Sequence, residues 1–361
     1  MPKIPAFDRN KMHARLVLAM LFLATGLFVA ITFSPLKSGF ADAPNRGPGD
    51  IELYRAEVDR IHAGEPYYDA IATELHARGY PTRSVFNWRM PLPVWFIGAL
   101  PAISLAQGLL GLLALALVCL AFKWLADEGG VAEGLLAVLL LSGALMPCVL
   151  GDLVVMSELW AGVLIALSAV CLGLGRRNLG IVAGVAALFL RELSAPYCLL
   201  CVVLALSERR YREIAYWSIG LAAYAVYFAL HAWQVLPRIS PTDVAHAGGW
   251  IRFGGAGFLI STVQMNAYLL LLPQWVTAIY LGCVLAGCTR WYTPGGKLVG
   301  FTIVGYAIAF SLAGNDFNQY WGSLMAPLCC LAAARTPRAL RKLAITAGLF
   351  TEKLPAIAVQ S

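Results

Sequence analysis

From Met90 to Phe122 the chain runs through an uncharged, largely apolar stretch of 33 residues. As one helix this stretch would be about 50 Å long, against a bilayer hydrocarbon core of about 30 Å. It must break, and Pro101 is where a helix would lose a hydrogen bond and meet a ring clash. Residues 91–100 then form a short interfacial or re-entrant piece. Hydropathy elsewhere gives spans near 16–33, 102–122, 131–150, 158–175, 178–191, 194–207, 213–231, 266–288, 298–314 and 320–335. With 60% hydrophobic and 13% charged residues in 361, a water-soluble chain is excluded. The expected fold class is all-α: a polytopic membrane protein of about ten transmembrane helices, forming a single integral-membrane domain over 1–361. The N-terminus resembles a signal peptide, but its long apolar run lacks a small-residue cleavage site and reads as a retained first span.

The stretch 178–207 is either one long span with Arg191 and Glu192 in mid-membrane or a hairpin turning at those residues. Arg176 and Arg177 precede it, and Arg209, Arg210 and Arg212 follow it. The positive-inside rule puts both ends in the cytoplasm, which a hairpin satisfies and a single crossing does not. On this topology both termini are cytoplasmic, as is the tail 336–361. Of 27 Lys and Arg, 17 lie inside, so the net charge of +7 is a sidedness signal and not a nucleic-acid patch. Of 20 acidic residues, 13 lie outside, eight of them in one loop. The nine cysteines sit within or at the ends of apolar segments, spaced neither as a disulfide framework nor as a metal site.

That loop, residues 34–90, is the first outer one and the longest polar stretch. After a Pro/Gly-rich start, Ile51, Tyr54, Val58 and Ile61 recur as one helical stripe, with Asp50 as N-cap and Gly64 as stop. Tyr68, Ile71 and Leu75 form a second stripe, ended by Gly79-Tyr80-Pro81. Two such amphipathic helices, tethered by spans, are expected to lie along the outer membrane surface. A second outer loop, 232–265, is rich in Gly and aromatic residues and does not resemble a phosphate-binding P-loop. It is a candidate lid.

The series Asp50-Ile51-Glu52-Leu53-Tyr54, Gly64-Glu65-Pro66-Tyr67-Tyr68-Asp69 and Asn87-Trp88-Arg89-Met90-Pro91-Leu92-Pro93 resembles the first outer loop of the GT-C superfamily of integral-membrane glycosyltransferases. It is most similar to the polyprenyl-phosphate-sugar-dependent branch that includes glycosyltransferase family 87, whose members are mannosyltransferase-like. Asn318-Gln319-Tyr320-Trp321-Gly322 with Pro327, and the pair Arg191-Glu192, are looser likenesses. The resemblance covers 48–95 well and the rest of the chain loosely. It implies a GT-C-like fold and transfer of a hexose or pentose from a polyprenyl-phosphate donor to a glycan or glycolipid hydroxyl. The place implied is the outer, periplasmic face of a plasma (bacterial inner) membrane.

Such a reaction needs a base for the acceptor hydroxyl, cations for the departing phosphate and a groove for the lipid. By resemblance Asp50 is the general base, with Glu52 second; at i+2 Glu52 faces elsewhere on a helix. The bland alternative for Asp50 is an N-cap worth about 1 kcal/mol. Arginine suits the phosphate through its fixed fork of donors. Arg191, Arg89, Arg252 and His246 are the candidates, followed by Arg238 and His231. Arg191 is the most informative, because 14-residue arms place it below the headgroups, where an unpaired cation costs at least ~2.5 kcal/mol near mid-depth. Pairing with Glu192 or snorkelling to the surface would also satisfy it. Asp152 and Glu158, with Tyr54 and Tyr67, are candidates for positioning the acceptor sugar. The two carboxylates are equally hard-oxygen ligands for a divalent cation, and equally ordinary in a solvated turn and at a helix N-terminus. The rival class is a transporter or lipid flippase without glycosyl transfer. No internal repeat and nearly charge-free span interiors argue against ion-coupled transport.

Overall fold

A computed structural model describes residues 9–34, 49–245, 253–313 and 316–350, and every regular element among them is helical. The order is α1 (Arg9–Thr32), α2 (Asp50–His62), α3 (Tyr67–Ala77), α4 (Pro91–Gly98), α5 (Ile103–Gly129), α6 (Val131–Leu145), α7 (Ser157–Gly173) and α8 (Arg177–Leu190). There follow α9 (Ala195–Ser207), α10 (Tyr211–Val235), α11 (Gly255–Val263), α12 (Ala267–Leu270), α13 (Gln274–Cys288), α14 (Pro294–Leu312), α15 (Ala326–Ala334) and α16 (Thr336–Thr346). Five helices are long and apolar enough to cross a membrane: α1, α5, α6 with its 3-10 extension, α10 with its 3-10 extension, and α14. Four shorter apolar helices join them, over Ser157–Gly173, Arg177–Leu190, Glu192–Ser207 and Gln274–Cys288.

The apolar run from Met90 breaks at Pro101, between α4 and α5. Pro91 opens α4 at a position where its missing N–H costs nothing. Gly130 alone links α5 to α6, at φ 96, a left-handed conformation that a side chain resists. Residues 178–207 form a hairpin. Cys198 Sγ contacts the Gly184 carbonyl, and Ser194 Oγ donates to the Ala187 carbonyl, so α9 folds back along α8. Arms of 14 and 13 residues reach only about 20 Å. The tip is held by Tyr306 of α14, whose hydroxyl donates to the Leu193 carbonyl at 2.9 Å.

At the centre stands α7, apolar all round and buried over 15 of its 17 residues, which is what a helix without a polar face requires. At the end of the bundle away from α2, Glu128 accepts from the indoles of Trp124 and Trp291, both at 2.9 Å. Arg335 pairs with Glu128 at 2.8 Å and with Glu133 at 2.9 Å, and lies over the Trp291 ring. This fastens α5, α6 and the chain between α15 and α16.

Several expected boundaries are corrected. The span 266–288 is interrupted at Pro273, leaving α12 as a single turn before α13. The span 320–335 is a 3-10 segment over Asp316–Leu324 followed by the nine-residue α15, about 14 Å long. The loop 232–265 begins later, because helix continues to Val235 and a 3-10 turn to Arg238, and it contains α11. The tail 336–361 starts as α16, which buries Ala339, Leu343 and Ala344, turns Arg338 to Glu133 and the Glu128 carbonyl, and leaves Arg341 and Lys342 exposed. Gly49, not Asp50, is the N-cap of α2; Asp50 is its first helical residue.

Two glycines seat the 3-10 segment. A Cβ on Gly162 of α7 would collide with the Ser323 carbonyl, and one on Gly322 with the carbonyl of Thr262 in α11. The segment is therefore clamped backbone to backbone between two helices. Gly322→Ala is expected to destabilise the fold by about 1–3 kcal/mol through overpacking, read as a lowered melting temperature in detergent; an unchanged melt would show that the segment has room to shift.

Candidate functional site

Asp50, Tyr54 and Glu57 lie at i, i+4 and i+7 on α2 and share one helix face. The Asp50 carboxylate is held by two phenols: Tyr80 donates to Oδ1 and Tyr320 to Oδ2, each at 3.0 Å. Tyr80 follows Gly79, whose positive φ turns the chain back after α3. Tyr320 comes from the clamped 3-10 segment, and its hydroxyl also lies 3.5 Å from Nη2 of Arg89.

The Arg89 backbone is fixed before α4. The buried Trp88 indole donates to the Thr82 carbonyl at 3.0 Å, and the Tyr67 hydroxyl donates to the Arg89 carbonyl at 2.6 Å. Its guanidinium donates through Nε to the Tyr54 hydroxyl at 2.8 Å and through Nη1 to Glu158 Oε1 at 2.8 Å, while lying over the Tyr54 ring. Burial works against that charge, but Glu158, aided by Tyr54 and Tyr320, outweighs it and holds the guanidinium pKa above its ordinary value. Glu158, 1% exposed at the start of α7, serves a second cation. Arg191 Nε, from the hairpin tip, lies 2.9 Å from the same Oε1, as an ion pair whose N–H bond is not aligned on the oxygen. Arg191 Nη1 reaches Glu192 at 2.5 Å.

The result is a chain of contacts from Asp50 through Tyr320, Arg89, Glu158 and Arg191 to Glu192. Beside it runs a narrow cleft of about 260 Å³, mouth included, lined by Tyr54, Arg89, Val155, Ser157, Arg191 and Glu192 among others. Carboxylate, phenols and guanidiniums in this order can accept a proton at one end and hold an anion at the other.

Of the residues singled out in the sequence, Asp50, Tyr54, Tyr67, Arg89, Glu158 and Arg191 meet here. Glu52 is exposed on another face of α2. Asp152 turns away to Arg55 at 2.5 Å, with both side chains near half exposed. Arg238 pairs with Asp69 at 3.1 Å and His231 contacts the Tyr68 hydroxyl at 3.2 Å, apart from the Asp50 group. His246 and Arg252 lie outside the described residues. Asp152 and Glu158 are each paired with arginine, Asp152 with Arg55 and Glu158 with Arg89 and Arg191. Among the described residues no three His, Cys, Asp or Glu side chains gather to hold a metal.

Sequence reasoning passed over Tyr80, gave Tyr320 no role, and missed Glu57. Only Glu57 carried a local signal, the helical spacing from Asp50. Its carboxyl is 1% exposed and Oε2 has no hydrogen-bond partner. Burial pushes its pKa up to about 8, with Arg89 pulling the other way and Glu74 and Asp50 adding repulsion. The folded protein thus keeps a proton that the unfolded chain releases near the ordinary carboxylate value. Stability from this group is whole below that value and is lost as pH rises through about 8. Glu57→Gln mimics the protonated form. Melting curves from pH 5 to 9 are expected to fall more steeply for the native protein than for this variant, by up to about 1.4 kcal/mol per pH unit; parallel curves would show that Glu57 ionises without cost.

No family model matches the chain, and no curated protein or solved structure matches it either.

Proposed function

We propose that this protein is a membrane glycosyltransferase that moves a sugar from a polyprenyl-phosphate donor to an acceptor hydroxyl at the outer face, with Asp50 as general base. The observation that carries the reading is the state of Asp50: both carboxylate oxygens accept hydroxyls, and one of those hydroxyls leads to Arg89. A carboxylate that serves only as a helix cap would bond its own backbone, whereas among the described residues the partners of Asp50 are the two phenols.

In the proposed reaction an acceptor hydroxyl replaces one phenol on Asp50 and gives up its proton there. Its oxygen bonds to the anomeric carbon, the bond from that carbon to the phosphate oxygen breaks, and the electron pair leaves with the polyprenyl phosphate. Arg191 and Arg89 receive the phosphate. Glu158 is too deeply buried to leave; Glu192, with its side chain 31% exposed, is the acid that the phosphate displaces from Arg191. Tyr54 and Tyr67 hold Arg89 in position. The enclosed part of the cleft has room for about one water, so a sugar must enter from the open side, next to Glu192.

The test is transfer from a polyprenyl-phosphate sugar in membranes carrying the protein. Asp50→Asn is expected to lower the rate by about 10²–10⁴-fold with expression unchanged. Arg191→Ala should raise the donor KM or lower the rate of the donor step. Full activity in the Asp50 variant sinks the reading, and accumulation of a solute by sealed vesicles would favour transport instead.

A further inference from the structure

At the opposite end of α7 and α8, about 20 Å from Glu158 along the helices, lies a second cleft, of about 340 Å³ with its mouth, whose enclosed part has room for only one or two waters. One wall is apolar: Leu172, Leu204, Trp217 and Leu298. The other is Arg177, Arg210 and Glu213. Glu213 is buried and takes both guanidiniums, Arg177 at 2.6 Å on one oxygen and Arg210 on the other. Arg210 also reaches Glu208 through Nε at 2.9 Å. Arg176, Arg209 and Arg212 stand exposed around these groups, so five arginines face two acids.

Local rules oppose this arrangement. The arginines sit at the N-terminal ends of α8 and α10, where the helix dipole favours negative charge, and neither helix has a side-chain cap. The first turn of α14, at Pro294 and Gly295, completes the cleft as a third N-terminus. Arg209 has φ 55, a left-handed conformation that is ordinarily glycine's at the end of a helix. Sidedness asks for basic residues on one face of a membrane protein, but not for their convergence on one apolar-walled cleft. An anion bound among them would offset both the dipole conflict and the excess charge.

We propose that the mouth of this cleft binds the phosphate of an anionic phospholipid between Arg177 and Arg210, with its acyl chains over the exposed apolar surface beside it. A lipid fits better than free phosphate, because the surface around these helix ends continues as exposed apolar residues: Leu179 at 58%, Val203 at 58%, Leu206 at 54% and Tyr211 at 72%. A basic pocket between membrane helices has the chemistry that recognises such headgroups. The site does not depend on the sugar-transfer reading.

The experiment is native mass spectrometry of the full-length protein in detergent, titrated with phosphatidylglycerol or phosphatidylcholine of matched chains. Phosphatidylglycerol is expected to be retained at least tenfold better, and Arg177→Gln with Arg210→Gln should abolish that preference. Because this pair of changes strips Glu213, a second variant keeps fold and binding apart. Arg209→Gly removes a charge and relieves the left-handed backbone, so it should melt no lower than the native protein while phosphatidylglycerol retention drops several-fold. Lys123→Gln, on an exposed residue paired with Asp127, should leave retention unchanged. Equal retention of the two lipids, unaltered retention in Arg209→Gly, or an equal drop in Lys123→Gln would each overturn the proposal. So would inorganic phosphate alone competing at the lipid's own concentration, which would make this a site for free phosphate.

Discussion

One carboxylate oxygen of Glu158 sits within 2.9 Å of two guanidiniums, with almost no water to share the charge. Taking three charged groups out of water is expensive, and removing one partner of such a buried set costs about 3–5 kcal/mol because the others are stranded. The arrangement therefore acts as a fixed point. Arg89 brings the segment ahead of α4, and with it α2 through Tyr54; Arg191 brings the hairpin tip; Tyr320 brings the 3-10 segment clamped by Gly162 and Gly322. Asp50 has its position only because these elements agree on it.

The two ends of the bundle solve the burial of charge differently. Around Glu128 the acids pair with arginines, and indoles and threonine add to the shell: Trp124, Trp291 and Thr293 all donate to it. That is a closed network, suited to locking helices. Around Asp50 the partners are phenols, which can be exchanged for other hydroxyls, and the outermost acid, Glu192, is partly solvated. Exchangeable partners at one end and fixed ones at the other leave the helices in place whichever hydroxyls Asp50 holds.

Much of this was legible in the sequence where a length or a breaker residue forced it. The break at Pro101, the turn at Arg191 and the stops at Gly64 and Gly79 all follow from chain reach and backbone freedom. Hydropathy misjudged places where composition and backbone part ways. Residues 320–335 are apolar enough for a span, yet Gly322 is squeezed against Thr262 and the chain takes a tighter 3-10 path. The region after Arg335 read as a tail because charge is dense there, although Ala339 and Leu343 carry a helical stripe. The pairing of Arg89 with Glu158 spans 69 residues and that of Arg89 with Tyr320 spans 231, distances over which a single sequence holds no register. The resemblance to the GT-C loop pointed to Asp50 and Tyr54 and, loosely, to the segment with Tyr320, but it gave neither Tyr320 nor Tyr80 a part in holding the carboxylate.

The brevity of the hairpin has a further consequence. With α8 and α9 about 20 Å long, and α13 only 15 residues, part of the bundle is shorter than a bilayer core of about 30 Å. Lipid does not tolerate such hydrophobic mismatch without deforming, at a cost of fractions of a kcal/mol per ångström. A dimple in the leaflet beside the Arg191 tip would relieve it. A headgroup drawn into that dimple would start several ångströms nearer to Arg191 than one floating at the ordinary level, so on the proposed sugar transfer the depth of a turn in the chain would set how far a lipid-linked donor has to leave its own membrane.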